Sequence, residues 1–170
     1  MSGERIPAID PKAQRGAILR AIHAFGRSKA GRWYGINIGS RIDPPLLRLT
    51  GGRFATTSML PLVLLSVRGR RSGELRTVPL VYYTDGDDVI LVASSFGRAK
   101  NPAWYLNIVA NPDVELTAGG VTASYHSEQV AEGAERDRLY ELARANYGGY
   151  GDYEELAGDR HIPVLRLRPA

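Results

Sequence analysis

From Leu60 to the C-terminus the chain alternates short apolar stretches with tight turns, and this rhythm narrows the available folds more than any other feature. Leu62–Val67, Thr77–Tyr83, Val89–Ala93, Val114–Thr117, Val121–Tyr125 and Ile162–Leu167 each have the length and β-branched character of a strand. Asp85-Gly86 joins the second to the third, and Gly119-Gly120 joins the fourth to the fifth, both in the manner of hairpins. Two helices interrupt the series. Asn101–Ala110 has Pro102 in its first turn and is stopped by Asn111-Pro112, while Glu132–Asn146 carries Leu139, Leu142 and Ala143 on one side. Six strands, few helices and no strand–helix–strand alternation predict a mainly β, α+β architecture: an antiparallel β-barrel with helices packed outside it.

The N-terminal part reads differently. Residues 11–26 predict a helix, with Ala13, Ala17, Ile18, Ala21, Ile22 and Phe25 at helical spacing and Lys12, Arg15, Arg20 and Arg27 on the opposite side. Such a helix either covers a core or rests its basic face on anionic lipid as a peripheral membrane contact. Residues 29–57 are rich in glycine and arginine, and Asp43-Pro44-Pro45 and Gly51-Gly52 break them into short pieces. With 170 residues the chain suits one domain, in which residues 1–59 form a helix and irregular cap and residues 60–170 form the barrel. There is no cysteine, so thiolate metal sites and thiol redox chemistry are excluded and any electron transfer needs a bound cofactor. Nothing near Met1 resembles a signal sequence and no stretch approaches the roughly 20 apolar residues of a membrane span, so a soluble cytoplasmic protein is expected.

Between the first two strands lies Gly69-Arg70-Arg71-Ser72-Gly73-Glu74-Leu75-Arg76. Three guanidinium groups at a strand end, beside Ser72 and the N–H groups of a glycine-flanked turn, suit planar contact with phosphate or carboxylate. A solvated basic hairpin explains the same residues without a ligand. The net charge of +4 agrees with an anionic partner and does not choose one. No glycine pattern of the Walker or Rossmann kind opens a helix.

From about Leu62 to Pro169 the chain resembles the deazaflavin-dependent nitroreductase family. The resemblance rests on an ordered series: Gly69-Arg70-Arg71-Ser72-Gly73 with Arg76 and Pro79, then Ala93-Ser94, then Lys100-Asn101-Pro102-Ala103-Trp104-Tyr105-Leu106-Asn107, then Ala110-Asn111-Pro112, and finally Tyr147, Tyr150 and Tyr153 before Ile162-Pro163. It implies an FMN-binding-like split barrel that uses the reduced deazaflavin coenzyme F420 as hydride donor, with FMN as the alternative cofactor. By the same mapping Arg70, Arg71, Ser72, Gly73 and Arg76 hold the anionic tail. Thr77, Val78, Pro79, Leu80, Ala93, Ser94 and Ser95 lie along the deazaflavin and its ribityl chain. Lys100, Asn101, Pro102, Ala103, Trp104 and Asn107 close the groove from the helix. The family often has lysine where this chain has Ser95, and Phe96 and Arg98 replace smaller or uncharged residues; Arg98 offers a substitute charge.

The resemblance further implies Tyr150 and Ser94 as groups that orient the acceptor or supply a proton, with Tyr147 and Tyr153 shaping the pocket. Three-residue spacing would, on a helix, set the tyrosines along one face, where they either meet a flat substrate or pack a helix on the barrel. His23, His126 and His161 are too scattered to bind a metal, and the acidic run Asp85-Gly86-Asp87-Asp88 is explained as a solvated turn. Three functions follow: an F420-dependent reductase of small planar acceptors such as quinones, enones or nitroaromatics; a flavin-binding barrel; and a basic nucleic-acid binder. The last is disfavoured, because the aromatics are not interleaved with the basic residues as a stacking platform requires.

Overall fold

In the computed structural model, which describes residues 5–9, 28, 45, 49, 50, 61–147 and 149–170, the apolar stretches form one curled antiparallel sheet. Its strands are β1 (Leu62–Arg68), β2 (Leu75–Val81), β3 (Tyr83–Asp85), β4 (Asp88–Val92), β5 (Asp113–Ala118), β6 (Val121–Gln129) and β7 (Val164–Pro169). The spatial order is β2-β1-β5-β6-β7-β4-β3. Helices α1 (Ala103–Ala110), α2 (Ala134–Asn146) and α3 (Gly149–Ala157) flank it. The predicted helix over 11–26, the segment 29–57, Trp33 and His23 lie outside the described residues, except for Ser28, Pro45, Leu49 and Thr50.

Seven strands stand where six are predicted, because the run Thr77–Tyr83 changes partner at Tyr82. Before it, β2 pairs with β1 from Leu75↔Arg68 to Val81↔Leu62; after it, Tyr83 pairs with Ile90 of β4. Tyr82 leaves the ladder, donating its N–H to the Pro61 carbonyl at 3.0 Å and its hydroxyl to the Pro7 carbonyl at 2.9 Å. Pro79 is tolerated because β2 lies at a sheet edge, where a missing N–H breaks no ladder.

Strand periodicity divides the buried side chains between two cores. Val63, Leu65 and Val67 of β1, Val89 and Leu91 of β4, Val114 and Leu116 of β5, and Leu165 and Leu167 of β7 fill the concave side, joined by Ile6, Tyr82, Tyr125 and Ile108 of α1. On β4 the alternate residues Ile90 and Val92 face the other way, into a second core with Tyr83, Val164, Ile162, the helical residues Leu139, Tyr140, Ala143, Tyr150, Tyr153 and Ala157, and Tyr147 between the helices. A strand buried on both faces reads as a continuous apolar run, as Val89–Ala93 does. Each fully buried aliphatic side chain contributes about 1.5–3 kcal/mol. Helices α2 and α3 are therefore anchored on the back of β3, β4 and β7, and α1 closes one end of the concave core.

Arg136 joins these helices to the sheet although it is 7 % exposed. Its Nη1 and Nη2 donate to Glu154 Oε1 of α3 at 3.3 and 3.4 Å, Nη2 donates to the Ile162 carbonyl at 2.9 Å, and its guanidinium lies 4.4 Å from the Tyr140 ring centre. A buried cation is retained only when paired in this way.

Candidate functional site

The basic turn closes on itself through its main chain. Gly69 N–H donates to the Glu74 carbonyl and Gly73 N–H to the Gly69 carbonyl, both at 2.8 Å. Helix α1 then supports it from the side: Asn107 Oδ1 accepts the Arg70 N–H at 3.1 Å, and Asn111 Nδ2 donates to the Arg68 carbonyl at 3.2 Å. Two carboxamides one helical turn apart thus fix the turn against the helix. The Ser72 hydroxyl accepts the Glu74 N–H at 3.3 Å, and Arg76 Nη2 donates to Glu74 Oε2 at 2.5 Å. Arg70 and Arg71 are exposed and have no side-chain partner among the described residues. Of the three arginines, two are unengaged and Arg76 is committed to an exposed pair, which is worth little in water.

Along the groove, Val78 and Leu80 pack half-buried on the concave core with Trp104. The Thr77 hydroxyl lies 3.2 Å from that of Ser66. Pro102 caps the start of α1, and Ala103 and Lys100 are exposed.

The segment after β4 has the most unusual backbone of the described residues. Ser94 is right-handed helical, then Ser95 and Phe96 adopt φ of 51° and 55°, followed by Gly97 at 73°. Two consecutive non-glycine residues at positive φ, one of them aromatic, are a genuine outlier that the surroundings must impose. A right-handed residue followed by left-handed ones also turns successive N–H groups to one side, the geometry of an anion-binding nest. Ser94 and Ser95 are half-buried and Phe96 is 39 % exposed.

Arg160, between α3 and β7, holds this segment. Its Nε donates to the Arg98 carbonyl at 2.8 Å, Nη1 to the Ala93 carbonyl at 3.1 Å and to Asn101 Oδ1 at 2.8 Å, and Nη2 to the Ser94 carbonyl at 2.6 Å. Burial lowers the Arg160 pKa, yet an arginine remains a cation at any working pH. Sequence reasoning missed this residue. Only its position just ahead of Ile162-Pro163 marks it, and a lone arginine in a loop carries no pattern.

Behind the segment stands the tyrosine cluster. Tyr147, Tyr150 and Tyr153 are 8 %, 4 % and 5 % exposed, so all three belong to the second core. Tyr150 meets Tyr140, Tyr147 and Tyr153 edge to face at 6.1, 5.7 and 6.0 Å, and Tyr153 meets Phe96 in the same way at 6.0 Å. The hydroxyls of Tyr147 and Tyr153 lie 3.4 Å apart, and the Tyr140 hydroxyl donates to the Tyr150 carbonyl at 2.8 Å. Among the described residues the Tyr150 hydroxyl has no hydrogen-bond partner. Burial drives its pKa far above the usual phenol value, helped by neighbouring tyrosines, so it stays protonated and can only be a neutral donor or acceptor. Tyr150 and Tyr153 lie on helix α3 as their spacing suits, but Tyr147 stands in extended backbone between α2 and α3, so the three do not share one helix face. Gly149 is there for space: a Cβ would lie 2.4 Å from the Tyr147 ring.

The remaining charged groups are compensated locally. Asp85 pairs with Arg138 at 2.5 Å and Arg166 at 3.7 Å, Asp88 with Arg166 at 3.3 Å, and Asp87 with Arg5 at 2.6 Å. The acidic turn is therefore neutralised by arginines. His126 pairs with Asp113, and among the described residues no cluster has the composition of a metal site. Nor is any described helix long and apolar enough to cross a membrane.

Residues 40–169 match the family model described as F420H(2)-dependent quinone reductase. A Mycobacterium tuberculosis protein provisionally named an F420H(2)-dependent quinone reductase is 38 % identical over 110 residues, covering 65 % of this chain and 91 % of its own length. A second from the same species, named an F420H(2)-dependent quinone reductase, is 34 % identical over 146 residues, covering 80 % and 95 %. The solved structure of an F420H2-dependent reductase superposes with a TM-score of 0.58 at 35 % identity, covering 64 % of this chain and 94 % of that one. It has the split-barrel fold that the family resemblance implies.

Proposed function

Since the chain belongs to the F420H(2)-dependent quinone reductase family, we propose that it passes a hydride from reduced F420 to a small, planar, electron-poor acceptor of the quinone, enone or nitroaromatic kind. The observation that carries this reading is the pair of unengaged guanidinium groups, Arg70 and Arg71, on a turn braced by Asn107 and Asn111; the chain also carries a backbone nest at Ser94–Phe96. That donor set fits a phosphodiester with a polyglutamate tail: fixed cations for carboxylates, and convergent N–H groups for a phosphate. When bound, the deazaflavin supplies a hydride from a ring carbon and needs no covalent help from the protein.

The chain's own residues hold and orient. Arg70, Arg71 and the exposed Lys100 and Arg98 attract the tail, and Arg76 joins them on release from Glu74. Thr77 to Leu80, with Trp104 behind them, form the apolar wall of the groove. Ser94 and the spare hydroxyl of Tyr150 orient the acceptor oxygen, and Tyr147 and Tyr153 support Tyr150 through edge-to-face contacts worth about 0.5–1.5 kcal/mol each beyond burial. Holding donor and acceptor in line is the main source of rate.

Titration with F420 and FMN in parallel tests the proposal, read as quenching of cofactor fluorescence. F420 binds, FMN does not, and Arg71→Ala weakens F420 more than tenfold, as loss of a charge-assisted bond of about 1.5–3 kcal/mol requires. Tight FMN binding without F420 binding, or unchanged F420 affinity in Arg71→Ala, overturns it.

A further inference from the structure

We propose that Arg160 is a positioning residue for cofactor binding, stapling the two limbs of the 93–101 segment so that Ser94, Ser95 and Phe96 are held ready before the cofactor arrives. This rests on the assignment of that segment to the cofactor site. The guanidinium has five N–H donors in a rigid plane, and four acceptors are met here. Ala93 and Ser94 carbonyls lie on the incoming limb; the Arg98 carbonyl and Asn101 Oδ1 lie on the outgoing one. Between them stand the two left-handed non-glycine residues. Their conformation is unfavourable in an isolated chain, so it persists because something outside the segment imposes it. Within the segment, only the Gly97 N–H to Ser94 and Arg98 N–H to Ser95 main-chain bonds are available to do so. A single side chain from the α3–β7 connection therefore bears on both limbs at once. By pulling the Ala93, Ser94 and Arg98 carbonyls toward itself it leaves the Ser95 and Phe96 N–H groups to a ligand. Lysine cannot replace it, because one ammonium nitrogen cannot reach four acceptors spread around a planar fork.

Three measurements on Arg160→Lys and Asn101→Ala test this: thermal midpoint, amide hydrogen exchange over residues 93–101 in cofactor-free protein, and F420 affinity by fluorescence quenching. The expected result for Arg160→Lys is exchange at least tenfold faster in that segment alone and an F420 Kd at least tenfold higher, with a thermal midpoint close to that of wild type. Asn101→Ala, which removes one acceptor and keeps the arginine, gives a smaller change in the same direction and serves alone if the lysine variant does not fold. Wild-type exchange in the segment, or acceleration spread evenly over the chain, overturns the proposal, because Arg160 would then be a general stability residue. A wild-type protein that leaves F420 fluorescence unchanged overturns the cofactor assignment itself, an outcome separate from unaltered exchange in a protein that binds.

Discussion

Replacing Gly97 by alanine tests whether the left-handed segment is pressed against α3. Gly97 has φ of 73°, and a Cβ built there would lie 2.6 Å from Leu156 Cβ, 3.1 Å from the Tyr153 carbonyl oxygen and 3.3 Å from Tyr153 Cα. Two of those three atoms are main chain, so the helix cannot yield by turning a side chain. Gly73 is the control: its φ is 69° and a Cβ there meets nothing within 4 Å. Both variants incur the left-handed penalty of about 1–2 kcal/mol. Both also gain the same small offset, about 0.4–1 kcal/mol, from a stiffer unfolded chain. Only Gly97→Ala adds overpacking, about 1–3 kcal/mol. With a urea m-value of about 2 kcal/mol/M, typical of a small domain, that excess separates the two midpoints by roughly 0.5–1.5 M. Far-UV circular dichroism in urea reads both. Equal midpoints for Gly97→Ala and Gly73→Ala would refute the close contact between the segment and α3.

Three further outcomes concern titratable groups. Tyr150→Phe keeps every ring contact and removes only the hydroxyl, so turnover falls while F420 affinity and the thermal midpoint stay near wild type; turnover within twofold of wild type would leave the ring a packing element. Because burial holds the Tyr150 phenol protonated far into the alkaline range, the wild-type pH–rate profile shows no break below pH 10 that vanishes in Tyr150→Phe. Hydrogen bonds from Arg138, then Arg166, lower the Glu135 pKa from 4.5 to about 2, and Arg138 likewise lowers that of Asp85. A depressed carboxyl stabilises the fold above its unfolded pKa and ceases to as pH falls through the folded one. The urea midpoint of wild type should therefore drop more steeply than that of Glu135→Gln between pH 4.5 and about 2. The gap should narrow at 0.5 M salt, about a 4 Å Debye length, since these groups are partly exposed. Parallel curves for the two proteins would count against the pairing.

Much of the barrel was legible from local pattern. Alternation in Val114–Thr117, the unbroken apolar run of Val89–Ala93 and the Asp85-Gly86 turn each describe a strand or hairpin whose neighbours in sequence are its neighbours in space. The arginine turn was legible as a donor cluster for the same reason, since Gly69–Arg76 is one short stretch. Three features were not. The change of partner at Tyr82 depends on Pro61 and Pro7, which no periodicity within Thr77–Tyr83 announces. The start of α3 after Tyr147 is hidden by Gly149 and Gly151, whose low helix propensity is overridden by packing of the Tyr147 ring over Gly149. Which guanidinium groups are unengaged depends on Glu74, Asn107 and the carbonyls that converge on Arg160.

The amino-acid sequence by itself determined where strands begin and end, where the chain reverses, and that positive charge gathers at one strand end, because backbone dihedrals and side-chain alternation act over a few residues. Only the tertiary structure decided that β4 serves two cores, that the tyrosines form a buried wall, and that Arg160 reaches carbonyls 62 to 67 positions earlier in the chain. Those choices depend on the curl of the sheet, which brings remote segments within hydrogen-bond distance, and short-range chemistry has no means of encoding which remote group will be met.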